Sequence, residues 1–142
     1  MTGDLYINGK DAWTTWGVNM GDGFLDAIDG FAPMKEYIEN DSRIEDGKRV
    51  IAVYPKVASR EMTLRFTIQG GNEAVFRANR KAFEEELRKG KVDILIPALG
   101  DDVFHLFYLG KSVSYALNVN RNFCTVSSKF EEPNPTDREA RD

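Results

Sequence analysis

The stretch Arg60–Gly90, REMTLRFTIQGGNEAVFRANRKAFEEELRKG, decides the architecture. Met62, Leu64, Phe66 and Ile68 alternate with Glu61, Thr63, Arg65 and Thr67. Side chains of an extended chain point to opposite faces in turn, so this period of two predicts a half-buried strand over Arg60–Ile68. Gly70-Gly71-Asn72 then breaks the strand, and Asn72 suits a helix N-cap because its side-chain oxygen can accept a free N–H of the first turn. A helix is expected over about residues 73–89, stopping at Gly90, which tolerates the left-handed conformation of a helix end. Val75, Phe76, Ala82, Phe83 and Leu87, interrupted by Asn79, repeat at helical spacing. Glu73 with Arg77, Glu84 with Arg88 and Glu85 with Lys89 fall four residues apart, as supporting ion pairs do.

Upstream, Leu5-Tyr6-Ile7 is a short strand candidate followed by Asn8-Gly9, a pair suited to the positive φ angles of a tight hairpin. Ala12–Val18, with Trp13 and Trp16, reads as extended, and a short strand is expected at Phe24–Ile28 within a long irregular region. Residues 39–49 are crowded with charge and read as an exposed loop. Val50–Tyr54 is an apolar run closed by Pro55.

Downstream, strands are expected at Val92–Ile96 and Val103–Leu109, separated by the turn residues Gly100-Asp101-Asp102. A strand with Val113, Tyr115, Leu117 and Val119 on one face leads through Asn120-Arg121-Asn122 into Phe123–Phe130, predicting a closing hairpin. The expectation is one β-rich domain over 1–130, α+β in class: a mainly antiparallel sandwich or barrel flanked by one helix. Residues 131–142, with five acidic and two basic residues and two prolines, read as a flexible or externally docked acidic tail.

Composition narrows the function. The 142 residues are 42% hydrophobic and 30% charged, with nine Phe, five Tyr and two Trp to build a core. A net charge of −4 is the wrong sign for a nucleic-acid footprint. The basic residues around the helix, such as Arg77, Arg80, Lys81 and Arg88, are interleaved with glutamates. No apolar run reaches the ~18 residues of a membrane span, and the opening MTGDLYINGKDAW lacks a signal-peptide pattern. A single cysteine, Cys124, cannot form an internal disulfide, which favours a reducing, intracellular site of synthesis.

Catalysis needs converging groups, and none are apparent. His105, the single histidine, sits inside an apolar strand and reads as structural. Cys124 reads as a buried small hydrophobe. One His and one Cys cannot make a recognisable zinc site, and Asp41, Glu45 and Asp46 match no calcium loop. Gly70-Gly71-Asn72 before a helix suggests an anion site, but without a phosphate-binding motif an ordinary capped turn explains it better. Glu84-Glu85-Glu86 reads as solvated helix surface. No catalytic, cofactor or metal residue is assigned.

Assembly is the remaining reading. Trp13, Trp16, Phe24, Phe31, Arg43 and Lys48 are the interface candidates, most of them in the loop from Met20 to Lys48 that could cover a neighbouring copy. From another class, a small ligand-binding module would use Trp13, Trp16 and Tyr115 as a pocket.

The element order resembles bacteriophage tail proteins of the tail-tube and distal-tail group, particularly the N-terminal ring domain of distal tail proteins. LYINGKDAWTTWGV (residues 5–18) resembles that family's first hairpin, EDGKRVIAV (45–53) its Asp-Gly entry to the next strand, and REMTLRFTIQG (60–70) its central strand. FRANRKAFEEELRKGKVDILIP (76–97) is similar to its helix and following strand, and residues 103–135 to its closing strands and proline-marked exit. The resemblance implies a virion structural protein of a phage or prophage, without catalytic residues. It would form a hexameric ring between tail tube and baseplate, contacting tail-tube and hub proteins around a lumen that passes DNA without reading it. A tube or ring component of a phage-derived secretion or injection apparatus is the alternative. Because the sequence stops soon after Phe130, the further C-terminal domain of many distal tail proteins is expected to be absent.

Overall fold

A computed structural model of the chain describes residues 2–34, 38–40, 49–51 and 58–138. Ten strands and three α-helices occur among them. In chain order these are β1 (Tyr6–Ile7), β2 (Lys10–Asp11), α1 (Ala12–Trp16), β3 (Val18–Met20), α2 (Phe24–Asp29), β4 (Ile38–Asn40) and β5 (Arg49–Ile51). There follow β6 (Arg60–Gln69), α3 (Glu73–Arg88), β7 (Lys91–Leu95), a 3-10 turn (Pro97–Leu99), β8 (Val103–Tyr108), β9 (Ser114–Leu117) and β10 (Phe123–Glu132). Eight strands form one curled antiparallel sheet in the order β2-β1-β7-β8-β10-β6-β3, with β9 added to β10; β4 and β5 pair separately.

The sheet is organised on β6 and β10, which pair over their full length from Phe123↔Gln69 to Glu132↔Arg60. Met62, Leu64, Phe66 and Ile68 are buried as their alternation required. On its other side β10 meets β9 at residues 124–127 and β8 at Phe130 and Glu131, so β8 and β9 share one edge. Phe66 is the hub of the core. Its ring lies 5.1 Å from Phe24, 5.1 Å from Phe83 and 5.9 Å from Phe130, and Trp16 packs 5.6 Å from Phe83. Edge and tilted contacts of this kind suit the quadrupole of aromatic rings.

The helix α3 starts where Asn72 accepts the Val75 N–H at 2.9 Å, and Gly90 follows its end with φ 93°. Phe76, Phe83 and Leu87 face the sheet, while Val75 is exposed and lies outside the stripe expected to hold it. The Asn8-Gly9 hairpin forms, with φ 53° and 80°. The closing hairpin forms as well, with Arg121 at φ 57°.

Two expected strands are helices. In α1, Asp11 accepts the Trp13 and Thr14 N–H groups and Gly17 ends the helix at φ 64°. A cap and a stop on either side of five residues therefore override the extended reading of 12–18, of which only Val18 begins a strand. In α2, Phe24 and Ile28 are one turn apart and both buried, so the expected strand at 24–28 is helical instead. Of the expected loop at 39–49, Glu39, Asn40 and Arg49 lie in the β4–β5 pair, and residues 41–48, with Arg43 and Lys48, fall outside the described residues. The strand expected at 50–54 is described only at its first two residues.

The segment expected as a tail begins inside the fold. β10 runs on to Glu132, which is fully buried, Pro135 is buried, and Arg138 folds back to hydrogen-bond Glu132. Residues 131–138 are thus docked on the domain, and 139–142 lie outside the described residues.

Candidate functional site

Exposed apolar groups mark surfaces that can bind, because burying them from water is favourable. Two such surfaces stand out, at opposite ends of the β6–β10 pair.

The first lies where α3 passes the β9–β10 hairpin. Direct pairing of Tyr115 with Val126 and of Leu117 with Cys124 puts Tyr115 and Leu117 on the core-side face of β9, yet β9 overhangs the core and all its residues are exposed. A groove of about 80 Å³ results, floored by Ile68, Phe83, Leu87 and Val126. Arg80 of α3 lies over the Tyr115 ring, 5.1 Å from its centroid. Its Nε is buried without a hydrogen-bond partner, and it makes no ion pair among the described residues. Val113 and Val119 (96% exposed) extend the apolar row along the hairpin.

The second surface is α2 and the residues that leave it. Phe24 and Ile28 point inward, while Leu25, Phe31 and Met34 are exposed, Phe31 completely. Asp22 and Asp26 are exposed beside them with no ion pair among the described residues. The position is fixed by Arg60, whose guanidinium donates to the carbonyls of Ile28 and Gly30 at the end of α2, and by the Ala58 N–H, which donates to Pro33 at 2.7 Å.

Arg60 also donates to Glu132, and Arg138 donates twice to the same carboxylate, at 2.8 Å each. Burial pushes the Glu132 carboxyl up, but the hydrogen bonds from Arg138 and Arg60 more than reverse this, holding it below its ordinary value. This cluster fastens α2, the start of β6, the end of β10 and the C-terminal segment together. Sequence reasoning missed it. The alternation of β6 could have found it, since the face of Met62–Ile68 continues back to Arg60, a charge that needs a partner.

Glu86 corrects another reading. Two of the three consecutive glutamates are surface residues, but Glu86 is buried, bound by Lys10 at 2.9 Å and Lys89 at 2.7 Å. Burial raises its pKa, but the two lysines more than reverse this, leaving it below its ordinary value. Of the expected i,i+4 pairs, Glu84–Arg88 stands at 3.6 Å, while Lys89 turns to Glu86.

Of the interface candidates, Trp16 and Phe24 are core residues with 3% and 1% of their surface exposed, because the helices α1 and α2 turn them inward. Trp13 is half-buried and lines a shallow groove with Gly70, Gly71 and Val75. Phe31 is free to make contacts. Trp13 and Tyr115 line different grooves, and Trp16 lines neither.

His105 Nδ1 lies 2.9 Å from Asp93 Oδ1, its direct cross-strand partner on the outer face of β7 and β8. Cys124 is buried, and burial pushes its thiol pKa up. No group of three or more His, Cys, Asp or Glu among the described residues could hold a metal ion. No described helix is long and apolar enough to cross a membrane.

No protein-family model matches this chain, and no curated protein matches its sequence. Solved structures do match. The crystal structure of SPP1 Dit (gp 19.1), described as a paradigm of the hub adsorption apparatus in phages infecting Gram-positive bacteria, superposes with a TM-score of 0.56 at 15% identity. The fold is phage-tail-like. The match covers 93% of this chain and 50% of the Dit chain, so this sequence spans about half the length of the Dit structure. Identity this low leaves the likeness to the fold alone.

Proposed function

We infer that this chain is a structural component of a phage tail, assembling with copies of itself into a ring between the tail tube and the distal tip. The superposition on Dit over 93% of the chain carries the reading. The two unpartnered apolar surfaces support it, because a monomer gains nothing from Phe31 or the Tyr115 row left in water. A contact between unlike patches repeats around an axis until it closes, which is how rings form. The partners are then further copies, six in the family's pattern, with tail-tube and hub proteins above and below. The place of action is the virion tail, after synthesis in the bacterial cytoplasm.

Electron microscopy of the purified protein tests this. Annular particles with a central hole are expected. Irregular aggregates without a hole would refute the ring while leaving the fold untouched.

A further inference from the structure

We propose that the α2 end of one copy, led by Phe31, docks into the α3–β9 groove of the next copy, with Tyr115 and Arg80 receiving it. The inference rests on the self-assembly reading above and names the surfaces that carry it.

Three observations converge. The two patches complement each other in shape: Phe31 projects fully exposed beyond α2, whereas Ile68, Phe83 and Leu87 floor an open groove. They also complement each other in charge. Asp22 and Asp26 have no cationic partner among the described residues beside Leu25, while Arg80, with its unpaired Nε, lines the groove next to Glu84, whose own partner is Arg88. A cation of this kind, held on an aromatic ring in a partly dry groove, gains most from an acidic partner.

The third observation is position. Phe31 leaves the fold beside Arg60, at one end of β6, and the groove sits beside the other end, where Tyr115, Val126 and Phe66 align across three strands. Six residues of extended chain separate the two levels, roughly 20 Å. One copy therefore cannot satisfy both patches by itself, and each copy presents one knob and one groove. Such a heterologous contact propagates head to tail and gives a ring on closure.

Native mass spectrometry of the full chain tests the pairing. Wild-type protein is expected as oligomers. Phe31→Asp and Arg80→Glu should each weaken association by about tenfold or more, the loss typical of a central anchor, and Asp26→Arg should partly rescue Arg80→Glu. Phe31 is fully exposed and Arg80 half-buried, so unchanged thermal unfolding of the monomers by circular dichroism is required to separate lost contacts from lost folding. In a second test, a Phe31→Cys chain is mixed with a Val113→Cys chain under mild oxidation; Cys124 is buried and does not compete. A mixed disulfide dimer supports the contact, whereas Phe31→Cys homodimers as the main product overturn it. Wild-type oligomers that survive both substitutions overturn the pairing but leave self-assembly standing. A wild-type chain that stays monomeric overturns both.

Discussion

Arg60 and Glu132 sit directly opposite each other at the ends of the two longest strands, joined by a 2.6 Å hydrogen bond with both side chains shielded from water. Removing one member of a buried pair strands the other charge, which costs about 3–5 kcal/mol. Glu132→Ala should lower stability by about that amount in urea unfolding, since it also orphans Arg138. Arg138 is itself a quarter exposed, so Arg138→Ala should cost only about 1 kcal/mol.

The same carboxylate predicts an acid sensitivity. The pKa values of Glu132 and Glu86 are depressed in the folded state from an ordinary value of 4.5, so the unfolded chain takes up protons first. Their contribution is complete above that value and is lost as pH falls through the folded pKa values. Unfolding free energy should be flat near neutrality and fall below about pH 4.5. Glu132→Gln should make that fall shallower.

Gly70 and Gly71 should behave differently despite being neighbours. A Cβ on Gly70 would collide with the backbone of Phe76, lying 2.8 Å from its Cα, whereas a Cβ on Gly71 meets nothing within 4 Å. Gly70→Ala is expected to cost about 2 kcal/mol or more, within the range for overpacking. Gly71→Ala should stay within about 0.5 kcal/mol. Thermal melts of the two variants decide it, and equal effects would contradict the close passage of β6 under α3.

Three adjacent glutamates provide a comparison within one helix. Glu86→Ala removes the shared partner of Lys10 and Lys89 and should cost about 1–2 kcal/mol, because both lysines can rehydrate. Glu85→Ala, on the exposed side, should be near neutral, within about 0.5 kcal/mol.

Cys124 should be silent in the native protein. Its thiol is fully buried and its pKa is raised by burial, so little thiolate forms and no reagent reaches it. A thiol-reactive chromophore is expected to label it only when urea unfolds the chain.

The parts legible in the sequence were those whose information is local. β6 carries a ten-residue alternation, and α3 carries a stripe over sixteen residues with a cap and a stop at its two ends, so each needs no distant partner to be recognised. The hairpin turns at Asn8-Gly9 and Arg121 are equally local. α1 and α2, of five and six residues, are too short for periodicity to separate helix from strand, and Trp13 and Trp16 fit either. The buried charges were illegible for another reason. Glu86 among glutamates reads as surface until Lys10, 76 residues earlier, is folded against it, and Arg60 finds Glu132 72 residues away. The same holds for the interface candidates: Trp16 and Phe24 are apolar enough for an interface, but only the fold reveals that the core already uses them and leaves Phe31 outside.

Sedimentation velocity of the full chain across a concentration series tests head-to-tail assembly most directly. A discrete species of several copies, growing at the expense of monomer and lost in Phe31→Asp, is expected. A single monomeric boundary at every concentration would contradict assembly of this chain on its own.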